Sequence, residues 1–142
     1  MNTVQIFTLF FLRVTLGCLF FYAGITKVLD PSWSAEGYIS SAKMFSEYYA
    51  YFLKANILPL VNIANSWGLT LIGVSLISGI WVRWSSLFGI VLMALYYFAI
   101  LDFPHPNAHA YIVDEHIIYI AGLLLLGAFN AGKAWGLGSK LG

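Results

Sequence analysis

Charge is what this sequence has least of. Of its 142 residues only 9% are Asp, Glu, Lys or Arg, where an ordinary soluble domain carries about 25%. A soluble fold with so few charges and 61% hydrophobic residues would expose large apolar patches and associate. Cysteine is limited to Cys18, which excludes an internal disulfide and a CxxC redox pair. Within the first apolar run Cys18 is expected to be a small buried apolar side chain. Net charge is only +1, so a nucleic-acid partner is not expected. Proline occurs four times and interrupts none of the long apolar runs, which argues against the broken helices of transporters. No P-loop, nucleophile elbow, HExxH or dinucleotide-binding glycine fingerprint is present. The N-terminus lacks a basic leader region, and its apolar run is interrupted by Arg13 and closed by Lys27, so it reads as a mature helix rather than a cleavable signal.

What remains is apolar sequence in lengths that suit a bilayer. A helix needs roughly 20 residues to cross. Four such runs are expected, at about residues 4–28, 58–81, 84–101 and 111–131. The fourth contains only 117–129 as uninterrupted apolar sequence, so its helix either recruits earlier residues or is unusually short. The predicted class is therefore all-α, a single-domain integral membrane four-helix bundle surrounded by lipid. Residues 31–55 form the one long polar region, and an additional amphipathic interfacial helix is predicted there. Tyr38, Ala42, Phe45, Tyr49 and Phe52 recur at steps of four and three, with Ser41, Lys43, Glu47 and Lys54 off that stripe. Asp30 before Pro31 reads as its N-cap. Ala64, Gly68, Gly73 and Gly79 offer flat surfaces for close helix contact, and Trp81-Val82-Arg83-Trp84 is an aromatic-anchored turn.

Four crossings put both termini on one side. Arg83, Lys133 and Lys140 lie there in short segments without acids, so a prokaryotic cell membrane with both termini cytoplasmic is expected. The other side carries Lys27, Lys43 and Lys54 with all six acids.

The few ionisable groups near membrane depth are the functional candidates. Neither side of Arg13 is long enough to span alone, so Arg13 is expected deep in the membrane. There it either ties helices together or polarises the deeper part of a pocket. Lys27 at the end of the first helix shares a membrane face with Asn62 and Asn65 opening the second. Tyr96, Tyr97 and Asp102 closing the third, and Asp114, Glu115 and His116 opening the fourth, lie at that face too. Such a layer suits the polar head of a lipid-soluble molecule. Asp114 is expected chiefly to stabilise the start of the fourth helix. His105, His109 and His116 lie near Asp102, Asp114 and Glu115, but Pro106 blocks a regular helical pair between the first two, and no metal site is assigned. Only His116 lies near membrane depth, so no haem is expected either.

Three segments resemble the DoxX/DoxD family of small four-helix membrane proteins. They are Arg13-Val-Thr-Leu-Gly17 with Phe20-Phe-Tyr-Ala-Gly24-Ile-Thr-Lys27, then Trp67-Gly-Leu-Thr-Leu-Ile-Gly73 with Gly79 and Arg83, and Val113-Asp-Glu-His116-Ile-Ile-Tyr119. The last is most similar to the DoxD-type branch. Where many relatives carry a glutamate early in the second helix, this chain has Asn62 and Asn65. The resemblance implies a redox setting, the DoxD-type protein being a subunit of a thiosulfate:quinone oxidoreductase. On that basis quinone is the expected ligand, with Lys27 and His116 hydrogen-bonding its oxygens and Asn65, Tyr96 and Tyr119 lining the site. Glu115 and His116 are the candidate catalytic residues, Glu115 or Asp114 relaying protons to His116. A partner redox subunit would supply the substrate chemistry, no haem or flavin site being evident here. Two further readings are a non-catalytic scaffold, alone as a homo-oligomer or with another protein, and a small carrier or proton-conducting bundle.

Overall fold

The computed structural model describes residues 1–139, so Lys140 lies outside the described residues. Helix α1, Thr3–Val28, has 26 residues and is about 39 Å long. Its start is fixed by a capping box: Asn2 Oδ1 accepts from Gln5 N–H, and Gln5 Oε1 accepts from Asn2 N–H, both at 2.9 Å. Leu9, Arg13, Leu16, Gly17, Phe20 and Gly24 make one buried stripe at helical spacing. Phe7, Phe11 and Tyr22 point outward. So does Cys18, which is exposed on the lipid-compatible face rather than buried, because it falls off the stripe.

Helix α4, Leu58–Ser78, follows Pro59 in its first turn and ends at Gly79, whose φ of 79° terminates the helix in the left-handed region. It runs antiparallel to α1. Gly24 meets the backbone of Thr70, Gly73 meets the backbone of Phe21, and Gly17 meets Ile77. A Cβ at Gly17 would lie 2.8 Å from Ile77 Cγ1, closer than side chains tolerate. Gly73 thus serves close packing as its sequence context suggests. Gly68 does not, since a Cβ there would meet nothing within 4 Å.

The turn through Gly79–Trp81 reverses the chain into α5, Val82–Ile100, with Trp81 and Trp84 exposed beside it. Helices α1, α4 and α5 are each long and apolar enough to cross a membrane. Helix α6, Glu115–Ala128, has 14 residues and reaches only about 21 Å. Where a fourth span over 111–131 is expected, the helix is shorter at both ends and falls below the length of the other three. Asp114 caps α6 and Tyr111–Val113 stay irregular before it, while Phe129 and Asn130 turn into a 3₁₀ segment, Ala131–Lys133. α6 packs chiefly on α5.

The polar region is not one helix over 31–55. It forms α2, Glu36–Ser40, and α3, Ser46–Phe52, separated where Phe45 adopts a φ of 56°. Asp30 Oδ1 accepts from Ser32 N–H at 2.9 Å and from its hydroxyl at 2.6 Å, closing a local turn instead of capping a helix. Tertiary ties override the helical pattern. Asn62 Oδ1 accepts from Ala35 N–H at 2.9 Å, Lys43 N–H donates to Ala99 O at 3.2 Å, and the Tyr49 hydroxyl donates to Leu95 O. Lys43 also pairs with Asp102 at 2.8 Å. Ala35, Ile39 and Tyr49 pack with Ala99 into a second apolar cluster, so the segment covers the end of α4 and α5.

Candidate ligand-binding site

The cover formed by α2 and α3 encloses a cavity of about 680 Å³ against α1, α4, α5 and α6. A drug-sized ligand occupies a pocket of this size, with apolar walls and a few placed polar groups. Lys27, Asn65, Tyr96, Glu115 and His116 all line it, together with apolar Ile39, Val61, Leu92 and Ile100.

Its polar floor is built from three helices. Lys27 is in the last turn of α1 and donates to Asn65 Oδ1 and to Tyr96 Oη, each at 3.1 Å. Tyr96 in turn donates to the same Asn65 oxygen at 2.7 Å. The Lys27 ammonium also lies 4.8 Å from the Trp33 ring centroid and 5.4 Å from that of Tyr96. Two of its three N–H groups are used, and no carboxylate among the described residues pairs with it. A half-buried cation held only by neutral acceptors and rings retains a donor for an oxygen-bearing ligand.

The second polar group comes from the start of α6. Asp114 is 5% exposed, and its Oδ1 accepts from the backbone N–H groups of His116 and Ile117 at 3.0 and 3.3 Å. Its Oδ2 lies 2.7 Å from His116 Nδ1. The carboxylate therefore does two things. It caps the helix, as the sequence suggests, and it holds the imidazole with Nδ1 protonated, leaving Nε2 able to accept or deliver a proton. Glu115 lines the cavity but is exposed and makes no ion pair among the described residues, so the group bonded to His116 is Asp114. Tyr119 stands behind the site. Its ring packs on Phe20 and His116, with centroids 6.4 Å away in both cases, and it does not line the cavity.

Several contributors escape the sequence reading. Trp33, Ser34 and Tyr38 line the cavity from the cover. Asn62 fastens that cover, donating to Ser34 Oγ at 3.3 Å besides accepting from Ala35. The sequence places Tyr38 on the amphipathic stripe and Asn62 in the polar layer without giving either this role, and it gives no signal for Trp33 or Ser34 beyond the aromatics after Pro31. Tyr38 donates to Tyr96 O at 3.0 Å. Burial, then Tyr96, Tyr49, Asp114 and Glu115, pushes its hydroxyl well above the usual tyrosine value, so it stays a neutral donor.

Arg13 is not part of this cavity. It is fully buried, and its depth is that of the last turn of α4, at the opposite end from Lys27. Nη1 donates to Leu76 O at 2.6 Å and Ile77 O at 3.2 Å, and Nη2 donates to Ala134 O at 3.3 Å. The cation thus sits on the negative end of the α4 dipole. No carboxylate among the described residues approaches it. The first turns of α1 extend past that level. Among the described residues no three His, Cys, Asp or Glu side chains converge. His105 and His109 lie in the turn-rich stretch between α5 and α6, His105 Nδ1 near Ala110 O at 3.3 Å.

Fold and site together define a helical membrane protein with a covered, polar-floored cavity at one end of its long helices. The DoxX family matches residues 8–102, two thirds of the chain, and the protein belongs to that family. That match runs from within α1 past the end of α5 and stops before the Asp114–His116 pair. No curated protein and no solved structure matches the chain.

Proposed function

We propose that this DoxX protein is the membrane subunit of a quinone-linked oxidoreductase of the thiosulfate:quinone type, and that its cavity binds the quinone head group. The observation that carries this reading is the pairing of two different polar groups in one apolar-walled cavity. One is a lysine with a donor to spare; the other is a histidine oriented by a buried carboxylate. Quinone reduction consumes two electrons and two protons. Negative charge develops on the carbonyl oxygens as electrons arrive, and the Lys27 ammonium stabilises it. Asp114 orients His116, and the two protons are delivered in turn from its Nε2, which is reprotonated from water after the first transfer. The exposed Glu115 carboxylate at the cavity wall connects His116 to bulk water. The electrons come from a partner subunit that oxidises thiosulfate, since this chain offers no dithiol and no redox motif of its own. The DoxX membership and the resemblance of Val113–Tyr119 to the DoxD-type branch supply the choice of quinone.

Quinone affinity in nanodiscs tests the reading. Lys27→Ala and His116→Ala are each expected to weaken binding by about 10-fold or more, the range of a charge-assisted hydrogen bond. Unchanged affinity in both variants would remove the proposed site and leave a scaffold as the better description.

A further inference from the structure

A second apolar groove, of about 580 Å³, runs between α4 and α5. It shares Ala64, Leu92 and Leu95 with the polar-floored cavity, so the two spaces adjoin. It continues to Ser78 on α4 and to Trp81 and Trp84 beyond it. From Ala64 to Ser78 the helix rises about 21 Å.

The chemistry of the groove is uniform. Ser75, Ser78 and Ser85 are its hydroxyl-bearing lining residues, and each hydroxyl donates to a backbone carbonyl of its own neighbourhood. Apart from these hydroxyls, the polar groups of its lining side chains are the indole N–H groups of Trp81 and Trp84, at the end away from the cavity. Gly68 lies on its floor with open space where a Cβ would stand, so this glycine keeps the groove clear instead of tightening a helix contact.

We propose that this groove holds the single long apolar tail of the molecule whose head occupies the cavity, which makes the ligand a polyprenyl-type amphiphile; the proposal rests on the head-group reading above. Continuity with the head cavity decides the occupant. Ala64, Leu92 and Leu95 line both spaces, so one molecule with its head beside Lys27 and one tail along the groove to Trp81 fills both. A membrane quinone carries one such tail, whereas a phospholipid brings two chains to a single groove.

The test compares a benzoquinone bearing a single isoprenoid unit with a long-tailed polyprenyl benzoquinone, in nanodiscs carrying native protein, Gly68→Phe, Val91→Trp or Lys27→Ala. Gly68 faces open space and Val91 is exposed, so both blocking variants are expected to fold, with thermal unfolding as the check. Expected is a loss of about 10-fold or more in long-tail affinity in Gly68→Phe and Val91→Trp, with short-tail affinity unchanged. Lys27→Ala weakens both ligands. If the blocking variants bind the long-tailed quinone like native protein while Lys27→Ala still weakens it, the tail groove is wrong and the head site stands. If neither quinone binds native protein, both readings fall. A phospholipid retained in the groove by native mass spectrometry and not displaced by the long-tailed quinone also overturns the proposal.

Discussion

Among the described residues Arg13 meets three backbone carbonyls and no acid, and one of its nitrogens, Nε, has no hydrogen-bond partner there. Its work is to neutralise the exposed end of α4 and to tie the chain around Ala134 to it. Arg13→Met leaves those carbonyls without donors and is expected to lower unfolding stability by roughly 2–4 kcal/mol. Quinone affinity of the surviving folded fraction should stay as in native protein, because Arg13 lies outside the cavity; a selective loss of affinity would contradict this assignment. Asp114 separates two roles in one side chain. Asparagine caps a helix about as well as aspartate, whereas alanine costs about 1 kcal/mol. Asp114→Asn should therefore unfold like native protein while losing the carboxylate that orients His116, seen by nitrogen-15 NMR as a changed tautomer population of the imidazole. Asp114→Ala should show both defects. The sequence exposes Asp114 as a cap because capping is local. Its bond to the His116 ring depends on a side-chain rotamer, which sequence spacing alone does not choose.

At the scale of elements, α1 and α4 lie together because small residues meet opposing backbone. Gly73 and Gly68 look alike in sequence, five residues apart in one apolar helix. Only the packing distinguishes them. Gly73→Ala pushes a methyl group into the Phe21 backbone and should cost about 1–3 kcal/mol. Gly68→Ala meets open space and should be neutral or stabilising by up to about 1 kcal/mol through helix propensity. Thermal unfolding of the two variants in one detergent decides the matter, and equal effects would refute this packing. The long helices are legible because apolar length is a direct property of the sequence. The division of residues 31–55 into α2 and α3 is not. The apolar stripe from Tyr38 to Phe52 has a continuous helical period, yet hydrogen bonds to Asn62, Ala99 and Leu95 outweigh it.

In the molecule as a whole, the cover must stay closed for the cavity to exclude water. One of its ties is the exposed pair of Lys43 and Asp102. Hydrogen bonding from Lys43, reinforced by its charge, holds the Asp102 carboxyl below the ordinary carboxylate range. A group with a lowered folded pKa stabilises above its unfolded value and loses that contribution as pH falls through the folded one. Cover protection is accordingly expected to be constant from about pH 5 upward and to fall only in strong acid. Amide exchange across 36–52, corrected for intrinsic rate, measures this. Lys43→Ala should raise exchange there at neutral pH, and an acid-induced opening already at about pH 6 would point to a different tie.

Composition and apolar length by themselves determined that this chain is helical and has helices long and apolar enough to cross a membrane, and led to the expectation that Lys27, Asn65, Tyr96 and His116 lie near one membrane face. These follow from counting residues along helices, since rise per residue and bilayer thickness are constants. Tertiary structure alone decided that these four side chains share a cavity, that Glu115 yields to Asp114 as the partner of His116, and that Arg13 binds the end of α4. Those outcomes depend on how far one helix slides and rotates against another, and backbone contact at Gly17, Gly24 and Gly73 sets that register.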